Sequence, residues 1–181
     1  MPTYVFQYGS NCSAERLNRP ERLAGSARDL GLATTVEPHA LRFNVWSQTN
    51  GCAAADLIPT EPGSGPAFGV LYEIPENRVR GIAPNGRKTL TQIEGRRYCE
   101  KCLRVRKADG EVVDAVTFTV LEAEKRSDIS TDASYVRWIV DGLRAHGAPD
   151  EYVETVKATA IATIDKALPD APAIIAEIEN L

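Results

Sequence analysis

Two short stretches carry residues whose types and spacing suit chemistry on a small polar substrate. In Tyr4-Val-Phe-Gln-Tyr8-Gly9-Ser10-Asn11-Cys12 an apolar run stops on three turn formers. Successive backbone N–H groups in a tight turn make an anion-binding nest, and glycine lets a ligand approach the backbone closely. The same residues also suit an ordinary strand-ending turn. In Leu90-Thr-Gln-Ile-Glu94-Gly95 a carboxylate sits between an apolar residue and a glycine, at what reads as the mouth of a strand. Facing a partly dry pocket, Glu94 would have a raised pKa and serve as a general acid/base; facing solvent, it is a strand edge.

Other chemistries find little support. Gly9-Ser10-Asn11 lacks the second glycine of a nucleophile elbow. The two histidines, His39 and His146, are isolated and read as surface residues. No dinucleotide or Walker glycine pattern occurs, and Pro62-Gly-Ser-Gly-Pro66 lacks the phosphate-cradling spacing. Of the four cysteines, Cys99 and Cys102 form a CxxC, but in a strand they point to opposite faces and cannot share an ion. Cys12 and Cys52 are isolated, so buried or half-buried free thiols are expected, with no metal site.

The chain has 181 residues, is 43% hydrophobic and has a net charge of −4, which suits one domain spanning 1–181 with a single core. No stretch approaches the roughly 20 apolar residues needed to cross a bilayer. The N-terminus lacks the basic and apolar regions of a signal peptide, so a cytoplasmic protein is expected. The charge argues against nucleic acid and anionic membranes as partners, and mildly against a bulky anionic substrate.

The elements that must position these residues read as strands first and helices last. Strands are expected at 3–8, 41–46, 52–58, 67–74, 97–106 and 112–121, the last two joined by a hairpin at Asp109-Gly110. Residues 26–37 are ambiguous, and Pro84-Asn-Gly-Arg87 reads as a turn. Short helices fit Ser13–Leu17 and Pro75–Ile82. A longer helix capped by Thr131 or Asp132 runs to Arg144, with Tyr135, Trp138, Ile139, Gly142 and Leu143 on one face. A second runs from about Asp150 to Leu168, ended by Pro169 and Pro172, and a short third is expected at Ile174–Leu181. This is an α+β pattern: a small, mixed, mostly antiparallel barrel or sheet with helices packed around it.

Tyr8-Gly9-Ser10-Asn11 resembles the YGSN signature of the γ-glutamylcyclotransferase-like superfamily (the AIG2/BtrG-type fold). Leu90-Thr-Gln-Ile-Glu94-Gly95 is similar to its L-D-x-x-E-G signature, whose Glu is catalytic, and the stretch from Ser134 to Tyr152 resembles the family's tail. The resemblance spans roughly 4–156, with a helical tail at 150–181. Thr91 departs from it where Asp is usual, Ser134 stands one residue closer to its Tyr, and Ile82–Lys88 is longer than usual.

The resemblance implies an enzyme that needs no metal, nucleotide or other cofactor. The α-amine of a γ-glutamyl amide attacks its own γ-carbonyl, giving 5-oxoproline and a free amine. Glu94 would be the general acid/base, Gly9, Ser10 and Asn11 the backbone donors, and Tyr8 and Tyr98 pocket residues. The leaving amine is left open among amino acids, the Cys-Gly of glutathione, a lysine ε-amine and an aminoglycoside. A binding module of the same fold that has lost catalysis is the alternative. The partner is a small γ-glutamyl molecule, and either a monomer or a homodimer fits.

Overall fold

A computed structural model describes residues 2–81 and 87–181. The turn expected at Pro84–Arg87, all but Arg87, and most of the longer Ile82–Lys88 connection lie outside the described residues. The first strand, β1 (Pro2–Gln7), pairs antiparallel with β5 (Phe68–Pro75). β5 pairs with β2 (Arg28–Thr35), β2 with β6 (Tyr98–Lys107), and β6 with β7 (Val112–Val120), all antiparallel. A parallel contact of β7 with β1, Val5 opposite Val116, closes the five strands into a barrel. β3 (His39–Ser47) and β4 (Cys52–Pro59) form a separate antiparallel hairpin.

The ambiguous 26–37 stretch is therefore a barrel strand. Its alternation is interrupted where the register slips between Asp29 and Gly31, with Gly31 at φ 93°. Gly69 on β5 is needed for close approach, because a Cβ there would lie 2.4 Å from the Gln7 carbonyl and 2.7 Å from the Phe6 ring.

Helices cover the barrel. α1 (Ala14–Leu17) is capped by Ser13, whose Oγ accepts from Arg16 N at 3.2 Å, and α2 (Glu76–Val79) follows Pro75. Residues 90–94 differ from the expected strand mouth: they form a one-turn helix, α3 (Leu90–Glu94). Thr89 and Gln92 make a reciprocal capping box there, Gln92 N donating to Thr89 Oγ1 and Thr89 N to Gln92 Oε1.

α4 (Ala133–Ala145) starts at Asp132, which accepts from Tyr135 N at 2.7 Å, and buries Tyr135, Ile139, Gly142 and Leu143 of the expected face, with Trp138 half-buried. His146 at its end is largely covered rather than a free surface residue, with Nε2 2.7 Å from Asp29 Oδ2 on β2. α5 (Asp150–Ile161) stops well short of Leu168, because Thr163 Oγ1 turns back to the Ala160 carbonyl and Asp165 N donates to Ser130 Oγ. Pro172 does not end that helix but sits in the first turn of α6 (Ala171–Glu179), where its missing N–H costs nothing. One hydrophobic cluster joins barrel, hairpin and helices. No helix among the described residues is long and apolar enough to cross a membrane.

Candidate active site

β1 ends at Gln7, and the chain turns through one 3-10 turn, Ser10–Cys12, closed by Cys12 N donating to the Gly9 carbonyl at 2.9 Å. The N–H groups of Ser10 and Asn11 open this turn and so have no partner within it. The turn lies against α4 because of Gly142: a Cβ at that position would lie 2.5 Å from Cys12 C and 2.6 Å from Ser13 N. Gly9 has ordinary negative φ (−97°) and is small for packing, since a Cβ there would meet Ala55 Cβ at 3.3 Å.

Across from the turn, α3 delivers Glu94. Its Oε1 accepts from Asn11 Nδ2 at 2.9 Å and from Gln7 Nε2 at 3.2 Å. Gly95, at φ 83°, then swings the chain into β6. Glu94 is half-buried. Desolvation raises its pKa above the ordinary 4.5 of a glutamate, opposed by the Arg22 charge and then by the Gln7 and Asn11 amides. Thr91 donates to the Val79 carbonyl at 2.8 Å. With the capping box starting α3, the turn needs no Asp at that position.

A cavity of about 570 Å³ opens over this carboxyl. It is lined by Ser10, Asn11, Glu94 and Tyr98, together with Tyr135, Trp46 and the β3–β4 turn from Ser47 to Asn50. Tyr98 Oη donates to the Ala55 carbonyl at 2.7 Å, and Ala55 N donates to Tyr135 Oη at 3.0 Å. Two tyrosines thus satisfy both backbone groups of one β4 residue and fix the hairpin over the barrel mouth. Burial pushes the Tyr135 hydroxyl up to about 12 and holds Tyr98 well above its ordinary value, so both stay protonated. Tyr8 is placed differently. It is buried, does not line the cavity, and donates to the Phe118 carbonyl at 2.5 Å.

Four further residues belong to this arrangement and were not singled out by the sequence reading: Gln7, Arg16, Arg22 and Tyr135. Gln7 interrupts an otherwise apolar buried strand end, which was its only signal. Tyr135 reads as one more apolar position on a helix face. Arg16 and Arg22 look like solvated charges around a short helix, yet both line the cavity.

No protein-family model matches the sequence, and no curated protein matches it. Solved structures do. One described as a gamma-glutamyl cyclotransferase aligns with a TM-score of 0.70 at 21% identity, covering 98% of this chain and 99% of that one. An uncharacterized protein from Homo sapiens aligns with a TM-score of 0.71 at 22% identity, covering 97% and 98%. YkqA from Bacillus subtilis aligns with a TM-score of 0.66 at 24% identity, covering 87% of this chain and 53% of that one. At these identities the likeness concerns architecture: this chain has the α+β fold of the γ-glutamyl cyclotransferase structures, a closed five-stranded barrel with helices around it.

Proposed function

We propose that the chain is a γ-glutamylcyclotransferase-type enzyme. The observation that carries this reading is the half-buried carboxyl of Glu94, held by two amide donors on the wall of a cavity that the Ser10–Asn11 turn also lines. A γ-glutamyl amide contains its own nucleophile, so the protein must supply only folding of the substrate, a proton acceptor and donors for developing charge.

In this mechanism Glu94 takes a proton from the α-ammonium. The freed amine nitrogen attacks the γ-carbonyl carbon and closes a five-membered ring. Negative charge developing on the carbonyl oxygen faces the N–H groups of Ser10 and Asn11. Glu94 then gives that proton to the departing nitrogen as the carbonyl re-forms and the original amide C–N bond breaks; the ring nitrogen's second proton leaves through the same carboxylate to the released amine, so that 5-oxoproline and the protonated amine remain. Tyr98 and Tyr135, protonated at any working pH, serve as walls rather than as bases. Tyr8 lies outside the cavity, its hydroxyl bonded to the Phe118 carbonyl of β7, and takes no part in the reaction. Incubation with γ-glutamyl-alanine, γ-glutamyl-ε-lysine and glutathione, with 5-oxoproline as the readout, tests this reading. Release from at least one is expected, and release from none by folded protein would contradict it.

A further inference from the structure

Behind the cavity, α2 carries a buried arginine that the proposed reaction does not use. Arg78 is 5% exposed, and its Nη2 donates to the Arg22 carbonyl at 3.3 Å and to the Leu23 carbonyl at 2.9 Å. Its Nε and Nη1 are buried with no partner among the described residues. The next residue, Val79, offers its carbonyl to Thr91 Oγ1 at 2.8 Å. One short helix therefore grips two separate parts of the chain: the Arg22–Leu23 segment and α3, which carries Glu94.

Those two parts meet at the carboxyl. Arg22 Nη2 donates to Asn11 Oδ1 at 2.5 Å, and Asn11 Nδ2 donates to Glu94 Oε1 at 2.9 Å. A closed circuit thus runs from Arg78 through Arg22, Asn11 and Glu94, back along α3 to Thr91, and so to Val79. The segment after α1 is irregular. Residues 20–25 are turns, and Ala24 has φ 50°, a left-handed conformation that alanine rarely takes. A segment of this kind keeps its place through tertiary contacts. Here these include the fully buried Leu23 and the two carbonyls gripped by Arg78.

We infer that Arg78 is a positioning residue for the proposed reaction: by holding the Arg22–Leu23 segment against α2, it keeps the Arg22 guanidinium and the Asn11 amide in register with Glu94. This rests on the cyclotransferase reading above, and Arg78 itself does not line the cavity. The charges that couple to the Glu94 carboxyl are those of Arg22 and then Arg16, and the hydroxyls of Tyr8, Tyr98 and Tyr135 couple to it as well. Of these groups Arg22 does most to favour the ionised carboxylate. A loosened Arg22 segment would weaken that effect, so the Glu94 carboxyl would hold its proton to higher pH.

The test compares wild type, Arg78→Met, Arg78→Lys and Thr91→Val. It measures kcat and KM for the best γ-glutamyl substrate across pH, follows the Glu94 carboxyl by carbon NMR, and records melting temperatures. Arg78→Met is expected to lower kcat about tenfold or more, with a smaller change in KM, the mark of misplaced reacting groups. It should also move both the acid limb and the Glu94 titration to higher pH. Arg78→Lys can still donate to a carbonyl and should recover part of both. Thr91→Val breaks the other grip without changing any charge and should lower kcat too. In the double variant the two losses should combine to less than their product, because both act through α2. A folded Arg78→Met with wild-type kcat and an unmoved Glu94 titration would overturn the inference and leave the cyclotransferase reading standing. Wild type that releases no 5-oxoproline would overturn both. If Arg78→Met fails to fold, Thr91→Val decides: wild-type kcat would overturn the inference, and a lowered kcat would support it.

Discussion

Asn11 Nδ2 lies 2.9 Å from Glu94 Oε1, while the same amide's Oδ1 accepts from Arg22. One asparagine, buried in the turn that ends β1, thus has its amide orientation fixed from one side by a guanidinium and offers its donor to the carboxyl on the other. In the proposed mechanism this bond both aims Glu94 and steadies its ionised form.

Asn11→Ala removes that donor and leaves Arg22 without its acceptor. Turnover is expected to fall about 10- to 100-fold, the scale of a hydrogen bond to a charged group. Asn11→Asp would place a second carboxylate against the first and push the pKa of Glu94 further up. A pH profile of kcat/KM separates the two variants: both should move the acid limb to higher pH, Asn11→Ala by loss of the donor that lowers the Glu94 pKa and Asn11→Asp further, by adding a like charge.

The raised pKa of Glu94 makes two pH predictions of definite sign. As a base it must be ionised, so kcat/KM should rise with pH through a value above the 4.5 of an ordinary glutamate. Stability runs the other way. Between the unfolded-state pKa and the higher folded-state one, the native protein holds more protons, so stability is lost as pH rises through that window. Glu94→Gln removes the loss. Its melting temperature should exceed that of wild type at pH 7, and the gap should close below about pH 4, where both states are protonated.

Gly142→Ala offers a test in which local propensity and packing disagree. In a helix interior alanine is better than glycine by about 1 kcal/mol. Here the added Cβ would sit 2.5 Å from the backbone of Cys12. The packing cost, roughly 1–3 kcal/mol, should win, lowering the melting temperature. Because the displaced backbone is the turn carrying Ser10 and Asn11, turnover should fall as well. A stabilised, fully active Gly142→Ala would mean that the turn is free to shift.

Much of this was legible in the sequence because it depends on local patterns. The Asp109-Gly110 hairpin, the alanine-rich β4 and the Asp132 cap of α4 all follow from turn chemistry, periodicity and capping. Glu94 was recognisable, but its setting was not: a five-residue helix is too short to show a period, and only Thr89 and Gln92, spaced as a capping box, marked it. β2 was obscured by the bulge at Gly31. Arg16 and Arg22 were illegible for a different reason. Their placement depends on Asn50, 34 residues beyond Arg16, and on Asn11 being turned to face inward. Nothing in an arginine's own neighbourhood in the sequence says which groups it will meet across a cavity.

The most direct test of the central claim is the rate of 5-oxoproline release from the best γ-glutamyl substrate by Glu94→Gln relative to wild type, with folding checked by circular dichroism. The account predicts a folded protein with turnover reduced about 10³-fold or more, the upper range of what a positioned acid/base contributes. A folded Glu94→Gln that keeps more than a few per cent of wild-type activity would contradict it.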